Sequence, residues 1–128
     1  MIEVVRHNET GEVEISADPD GMVALAEAIR HAPGVVDAGE PESTWPYDEA
    51  LRQIRTEVSD DAVLFVYDDA TKSLRITGRQ QGRDVLAENF ADFAREGTPG
   101  EHWHVEWFPD HFYLGEGSAP VVVALQDA

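Results

Sequence analysis

Residues 13–29, VEISADPDGMVALAEAI, and residues 74–90, LRITGRQQGRDVLAENF, resemble each other at a constant offset of 61 positions. Both stretches begin with alternating apolar residues, pass through a glycine (Gly21 and Gly82) and continue with Leu-Ala-Glu at a helical spacing. Similarity at one fixed offset indicates a duplicated structural unit. The chain is therefore expected to contain the same arrangement of strands and helix twice.

Each copy is predicted to be a β-hairpin followed by a helix. In the first copy, strands at 2–6 and 12–16 precede a helix that ends near residue 32. In the second copy, strands at 62–67 and 73–77 precede a helix that ends near residue 96. Asp18 before Pro19 is typical of a helix start, because aspartate caps free backbone N–H groups and proline suits the first helical turn. The duplicated units are thus approximately 1–32 and 62–96.

The rest of the chain is expected to add strands to these units. Residues 33–49, rich in proline, glycine and acids, are predicted to form a surface loop. Residues 50–58 fit either a helix or a strand, and a strand at 53–58 is preferred because Ser59-Asp60-Asp61 is typical of a short hairpin turn. Strands are also predicted at 102–108 and 120–125, the last a continuous apolar run typical of a buried strand. These patterns predict one domain over residues 1–128, of the α+β class, with two helices on one face of a largely antiparallel sheet.

The charge balance argues against a nucleic-acid partner and favours a basic one. Twenty-six acidic side chains face nine basic ones, a net charge of −17, which disfavours binding to a nucleic-acid backbone. Arg95 is the last arginine or lysine, so the following 33 residues carry six acids and three histidines without either basic residue. A basic partner is expected to be attracted to this stretch.

The sequence also indicates where the protein acts. No apolar run reaches the roughly 20 residues that span a bilayer, and the first residues do not resemble an export leader. There is no cysteine, which excludes disulfides and thiolate metal sites. A cytoplasmic protein without membrane contact is therefore expected, while its oligomeric state stays open.

Alternation in residues 102–107 places polar and apolar side chains on opposite faces of a strand. His102, His104 and Glu106 would share one face, and Trp103, Val105 and Trp107 the other. Two histidines and a carboxylate can bind zinc or iron, but His102 and Glu106 would lie roughly 13 Å apart on a straight strand. A metal site would therefore need His102 and His104 together with Asp110 or His111 from the following loop.

Aromatic residues are concentrated between positions 103 and 113, among acids and histidines. Trp103 and Trp107 are expected to face the core, whereas Phe112 and Tyr113 fall in a loop, where large rings need a partner or a covering segment. Tyrosine and tryptophan beside charged residues are typical of interface anchors. The predicted contact residues are His104, Glu106, Asp110, His111 and Tyr113, although a loop held to its own domain by aromatic packing is an equally good interpretation.

The stretch from Gly100 to Leu125, GEHWHVEWFPDHFYLGEGSAPVVVAL, with LRITGRQQGRDVLAENFADFA before it, is similar to the immunity protein 32 family of bacterial polymorphic toxin systems. The shared pattern is His-x-His-x-Glu, aromatic residues, a proline and a histidine, Tyr-Leu, and Ser-x-Pro before an apolar strand. Trp107 stands where the family more often has tyrosine. The resemblance implies that the protein neutralises a cognate toxin.

Three functional hypotheses follow. The first is an immunity protein without enzymatic activity or cofactor, which blocks a basic toxin domain, such as a nuclease, through an acidic and aromatic surface. The second is a metal-binding protein or metal-dependent hydrolase that uses His102, His104, Asp110 and His111. The third is an acidic adaptor domain with another protein partner.

Overall fold

A computed structural model describes residues 1–127 and shows two helices and two β-sheets. The elements are β1 Ile2–Arg6, β2 Val13–Ala17, α1 Pro19–Arg30, β3 Gly34–Asp37, β4 Glu49–Ala50, β5 Gln53–Val58, β6 Leu64–Asp68, β7 Ser73–Gly78, α2 Gln80–Glu96, β8 His102–Val105 and β9 Val121–Leu125. The α+β class is confirmed.

The duplicated strand–strand–helix unit is also confirmed. β1 and β2 form an antiparallel hairpin before α1, and β6 and β7 form one before α2. Asp18 caps α1 by accepting a hydrogen bond from the Gly21 N–H at 2.8 Å, and Pro19 opens the helix. Alternation and helical spacing therefore operate in both repeats, whereas α2 begins after Arg79 without a side-chain cap.

The two repeats exchange their later strands. After α1 the chain enters the second sheet, whose order is β3-β5-β7-β6, and after α2 it returns to the first, whose order is β4-β1-β2-β9-β8. β9 runs parallel to β2, and β5 runs parallel to β7. The prediction of one largely antiparallel sheet is thus replaced by two mixed sheets, because each helical crossover returns the chain parallel to a strand of the other repeat.

The core is shared by both repeats. α1 packs against α2, and one continuous apolar cluster contains residues of both helices and both sheets. All five residues of β9 are buried, as its unbroken apolar sequence predicts for a strand covered on both faces. Neither sheet could bury its apolar residues without elements from the other repeat.

Two loops of fifteen residues each connect antiparallel neighbours. Residues 38–52 connect β3 to β5, and residues 106–120 connect β8 to β9. The first forms β4, which pairs with β1. In the second, the Ala119 N–H donates to the Phe65 carbonyl of β6 at 2.9 Å. β4 thereby covers the edge of β1, and the second loop covers part of the edge of β6, which together with β3, β4 and β8 is a terminal strand of the two sheets.

Two predicted boundaries are wrong. The predicted loop 33–49 contains β3, a four-residue strand that begins at Gly34. The predicted strand 102–108 ends at Val105. Across residues 1–127, neither helix has the length and apolar character that crossing a membrane requires.

Candidate functional site

The aromatic loop, residues 106–113 (EWFPDHFY), leaves the end of β8 and turns sharply at Pro109 and Asp110. The His111 N–H donates to the Phe108 carbonyl at 3.0 Å, and Asp110 has φ +69°. Proline followed by a residue of positive φ is typical of a type II turn. This turn reverses the chain and brings the rings on either side of it together.

His111 organises the loop from its centre. Its Nδ1 accepts hydrogen bonds from the backbone N–H groups of Tyr113 and Leu114 at 3.3 and 3.1 Å. Its ring lies 4.7 Å from that of Phe108 and 5.8 Å from the stacked ring of Phe112. Partial burial lowers the pKa of His111, which favours the neutral imidazole that an accepting Nδ1 requires.

The loop presents three aromatic rings to solvent. Phe112 is 79%, Phe108 56% and Trp107 37% exposed. Phe112 also lines a cavity of about 300 Å³ beside the first turns of α2, with Gly82 and Val85 in its wall. The loop thus exposes three large apolar side chains.

Tyr113 anchors the loop. It is only 8% exposed, and burial raises the pKa of its hydroxyl. Its carbonyl accepts from the Val63 N–H at 2.9 Å, which ties the loop to the start of the second hairpin. Tyr113, a predicted contact residue, is therefore buried, whereas the neighbouring Phe112 is exposed.

The other predicted contact residues lie at or near the surface. His104, Glu106 and Asp110 are exposed, and His111 is partly buried among the rings. His104 Nδ1 and Glu106 Oε1 are 3.8 Å apart. The expected opposition of His102 and His104 to Trp103 and Val105 holds within β8.

Trp107 is placed differently from its prediction. It was expected to face the core as the third apolar residue of a strand, but β8 ends two residues earlier and the ring is partly exposed. Phe108, which sequence reasoning did not select for the contact surface, is also exposed. Pro109 was the available signal, because proline cannot donate to a strand ladder and is confined to the edges and ends of sheets.

The candidate metal ligands do not come together. Within residues 1–127, no group of three or more histidine, aspartate or glutamate side chains is arranged to hold a metal ion. His111 Nδ1 is engaged by backbone N–H groups, while His102 and His104 stand on the exposed face of β8. The turn at Pro109 and Asp110 gathers aromatic rings, not ligands.

Comparison with known proteins identifies a family. The family model described as immunity protein 32 matches residues 12–64 and 73–126. The first match runs from the start of β2 through β5, and the second from β7 through β9, so both structural repeats are covered. No curated protein and no solved structure matches the chain. Because these matches span most of the sequence, the chain belongs to the immunity protein 32 family.

Proposed function

We propose that this protein neutralises a bacterial toxin by binding its toxin domain with the aromatic loop and the adjoining face of β8. Family membership supports an immunity function and a toxin as partner. The observation that carries the proposed surface is the exposure of Trp107, Phe108 and Phe112 on a loop that also carries Glu106 and Asp110. Exposed aromatic anchors surrounded by polar groups are the usual centre of a protein interface.

The charge of the chain supports a basic toxin domain, with a nuclease as the favoured class. A net charge of −17 accelerates encounter with a positive surface. Nuclease sites are positive because they bind phosphates, and carboxylates can occupy the same positions. The proposed action is cytoplasmic and works by occlusion, without catalysis, metal or nucleic acid.

Binding to the toxin domain encoded beside this chain in its genome tests the proposal. Phe112→Ala should weaken binding at least tenfold, because truncation of a hot-spot anchor costs about 2 kcal/mol or more and tenfold corresponds to about 1.4 kcal/mol. Trp45→Ala is the matched control, since Trp45 is a highly exposed aromatic residue of the other long loop. Calorimetry gives the affinities, and thermal unfolding verifies that both variants fold.

Two results would contradict the proposal. Wild-type protein that fails to bind or neutralise this toxin domain at micromolar concentration would remove the immunity function. Unchanged affinity in both Phe112→Ala and Phe108→Ala would remove the aromatic loop as the contact surface.

Association should also slow steeply as salt is added, because salt screens the attraction between surfaces of opposite charge.

A further inference from the structure

The outer edge of β8 has backbone groups directed away from its sheet. The Leu125 N–H donates to the Glu101 carbonyl at 3.1 Å, in register with the β8–β9 ladder. In an antiparallel ladder every second residue faces its partner strand, so Trp103 and Val105 bond to β9. The N–H and carbonyl groups of His102 and His104 therefore point outwards.

A groove of about 410 Å³ lies between this edge and α2. One wall contains Asp92, Phe93 and Glu96 of α2, and the other contains residues from Glu101 to Trp103. The rings of Phe93 and Trp103 lie 6.3 Å apart and provide apolar surface. Trp103 also packs edge-to-face on the buried Phe90 at 5.2 Å, which holds its ring in place.

The groove is acidic as well as apolar. Asp92, Glu96 and Glu101 line it, and α2 ends at Glu96, where the helix dipole adds negative potential. Arg95 pairs with Asp92, which leaves the two glutamates to dominate the charge. A second copy of this chain, itself at −17, would be repelled from the groove, whereas a basic segment would be attracted.

We propose that an extended basic segment of the toxin adds to the outer edge of β8 as a further strand and lies in this groove. The proposal rests on the immunity function proposed above and specifies that the toxin segment is recognised through backbone hydrogen bonds. An added strand lies about 4.8 Å from its neighbour, and its side chains alternate between the two faces. One set meets Phe93, Trp103 and Glu96, while the other meets His102 and His104.

The outer strand of the second sheet provides a matched control. The Ala38 N–H donates to the Arg52 carbonyl at 2.9 Å, so by the same alternation Val35 and Asp37 direct their backbone groups outwards from β3. Arg30, at the end of the helix that precedes β3, pairs with Glu27 and Glu88. The edge chemistry of β3 is similar to that of β8, but β3 does not line the acidic groove formed by α2 and β8.

Amide hydrogen exchange with the toxin domain encoded beside this chain tests the proposal directly. In the complex, exchange at His102 and His104 should slow at least tenfold, while Val35 and Asp37 should exchange as in the free protein. His104→Pro should weaken binding at least tenfold, because it removes an outward N–H and obstructs an added strand. Val35→Pro on the control edge should bind as wild type does.

Side-chain substitutions keep the test independent of proline. Glu96→Gln should slow association and weaken binding about threefold at low salt, because one rim charge is lost. Glu88→Gln should have little effect, since Glu88 does not line the groove and pairs with Arg30 and Arg95. Both variants replace one exposed carboxylate of the same helix.

Each alternative outcome has a distinct meaning. Binding with unprotected His102 and His104 amides, or with full affinity in His104→Pro, would overturn strand addition and leave the immunity function intact. Protection in the chain alone, with a dimer in sedimentation, would assign the edge to a second copy and also overturn it. Failure of the wild-type protein to bind would remove both proposals.

Discussion

Replacement of Arg83 by methionine should destabilise the protein by about 3 kcal/mol, through loss of buried hydrogen bonds between the two repeats. Arg83 lies in the first turns of α2 and is 1% exposed. Its Nη1 donates to the Ile29 and Arg30 carbonyls at 2.8 and 3.3 Å, and its Nε donates to the Gly78 carbonyl at 2.9 Å. A buried cation thus satisfies the last carbonyls of α1, which have no partner within the helix, at the negative end of the helix dipole.

The magnitude follows from the partners of each carbonyl. The Arg30 carbonyl also accepts from the Gln80 side chain, and the Gly78 carbonyl also accepts from the Ser59 N–H. Each of these therefore loses about 0.5 kcal/mol in the variant, whereas the Ile29 carbonyl becomes a buried acceptor without a donor, at about 2 kcal/mol. Methionine suits the volume, because Met22 occupies the corresponding buried position of the first repeat.

Urea and thermal unfolding, followed by tryptophan fluorescence, measure the effect. A loss of about 3 kcal/mol should lower Tm by roughly 10 °C for a chain of this length. Arg79→Met is the control, since Arg79 is exposed and should change the free energy of unfolding by less than about 0.5 kcal/mol. Equal or greater stability of Arg83→Met would refute the reasoning, because relief from burying the cation would then outweigh the lost hydrogen bonds.

Two further predictions concern the aromatic loop and the packing of α1. Because burial lowers the folded pKa of His111 below its ordinary value, the unfolded chain binds more protons between the two pKa values. The contribution of His111 is complete above about pH 6.5 and is lost as pH falls through its folded pKa, so His111→Asn should reduce the pH dependence of unfolding there. An unchanged slope would contradict this. Thr56→Val should cost about 1 kcal/mol in urea unfolding, because the buried Thr56 hydroxyl donates to the Ala28 carbonyl at 2.9 Å; wild-type stability would show that this bond contributes nothing.

The sequence predicted the elements that depend on nearby residues. The two hairpins, both helices and the cap at Asp18 follow from alternation, helical spacing and turn residues, which act over a few positions. Residues 50–58 fit a helix as well as the strand that the structure shows at Gln53–Val58. β3 was missed because four residues from Gly34 to Asp37, two of them exposed, carry too little alternation to stand out from a loop. Its place in the sheet comes from pairing with β5.

The candidate site shows the same division between features set by nearby residues and features set by distant contacts. Alternation correctly opposed His104 to Trp103, since both lie within β8. It failed for Trp107 because the strand ends first, and it could not foresee that Tyr113 would turn inwards while Phe112 remains exposed. Those orientations depend on the turn at Asp110 and on the contact of the Tyr113 carbonyl with Val63, which is distant in sequence.

By itself the sequence determined a duplicated hairpin and helix, an acidic chain and a motif typical of one immunity family. Only the tertiary structure decided that the repeats exchange strands, that Arg83 closes the end of α1, and that β8 is left as an outer edge beside an acidic groove. The physical reason is the distance along the chain over which each effect acts. Periodicity and capping are local, whereas strand pairing and edge exposure are set by which arrangement buries the apolar residues of both repeats in one core.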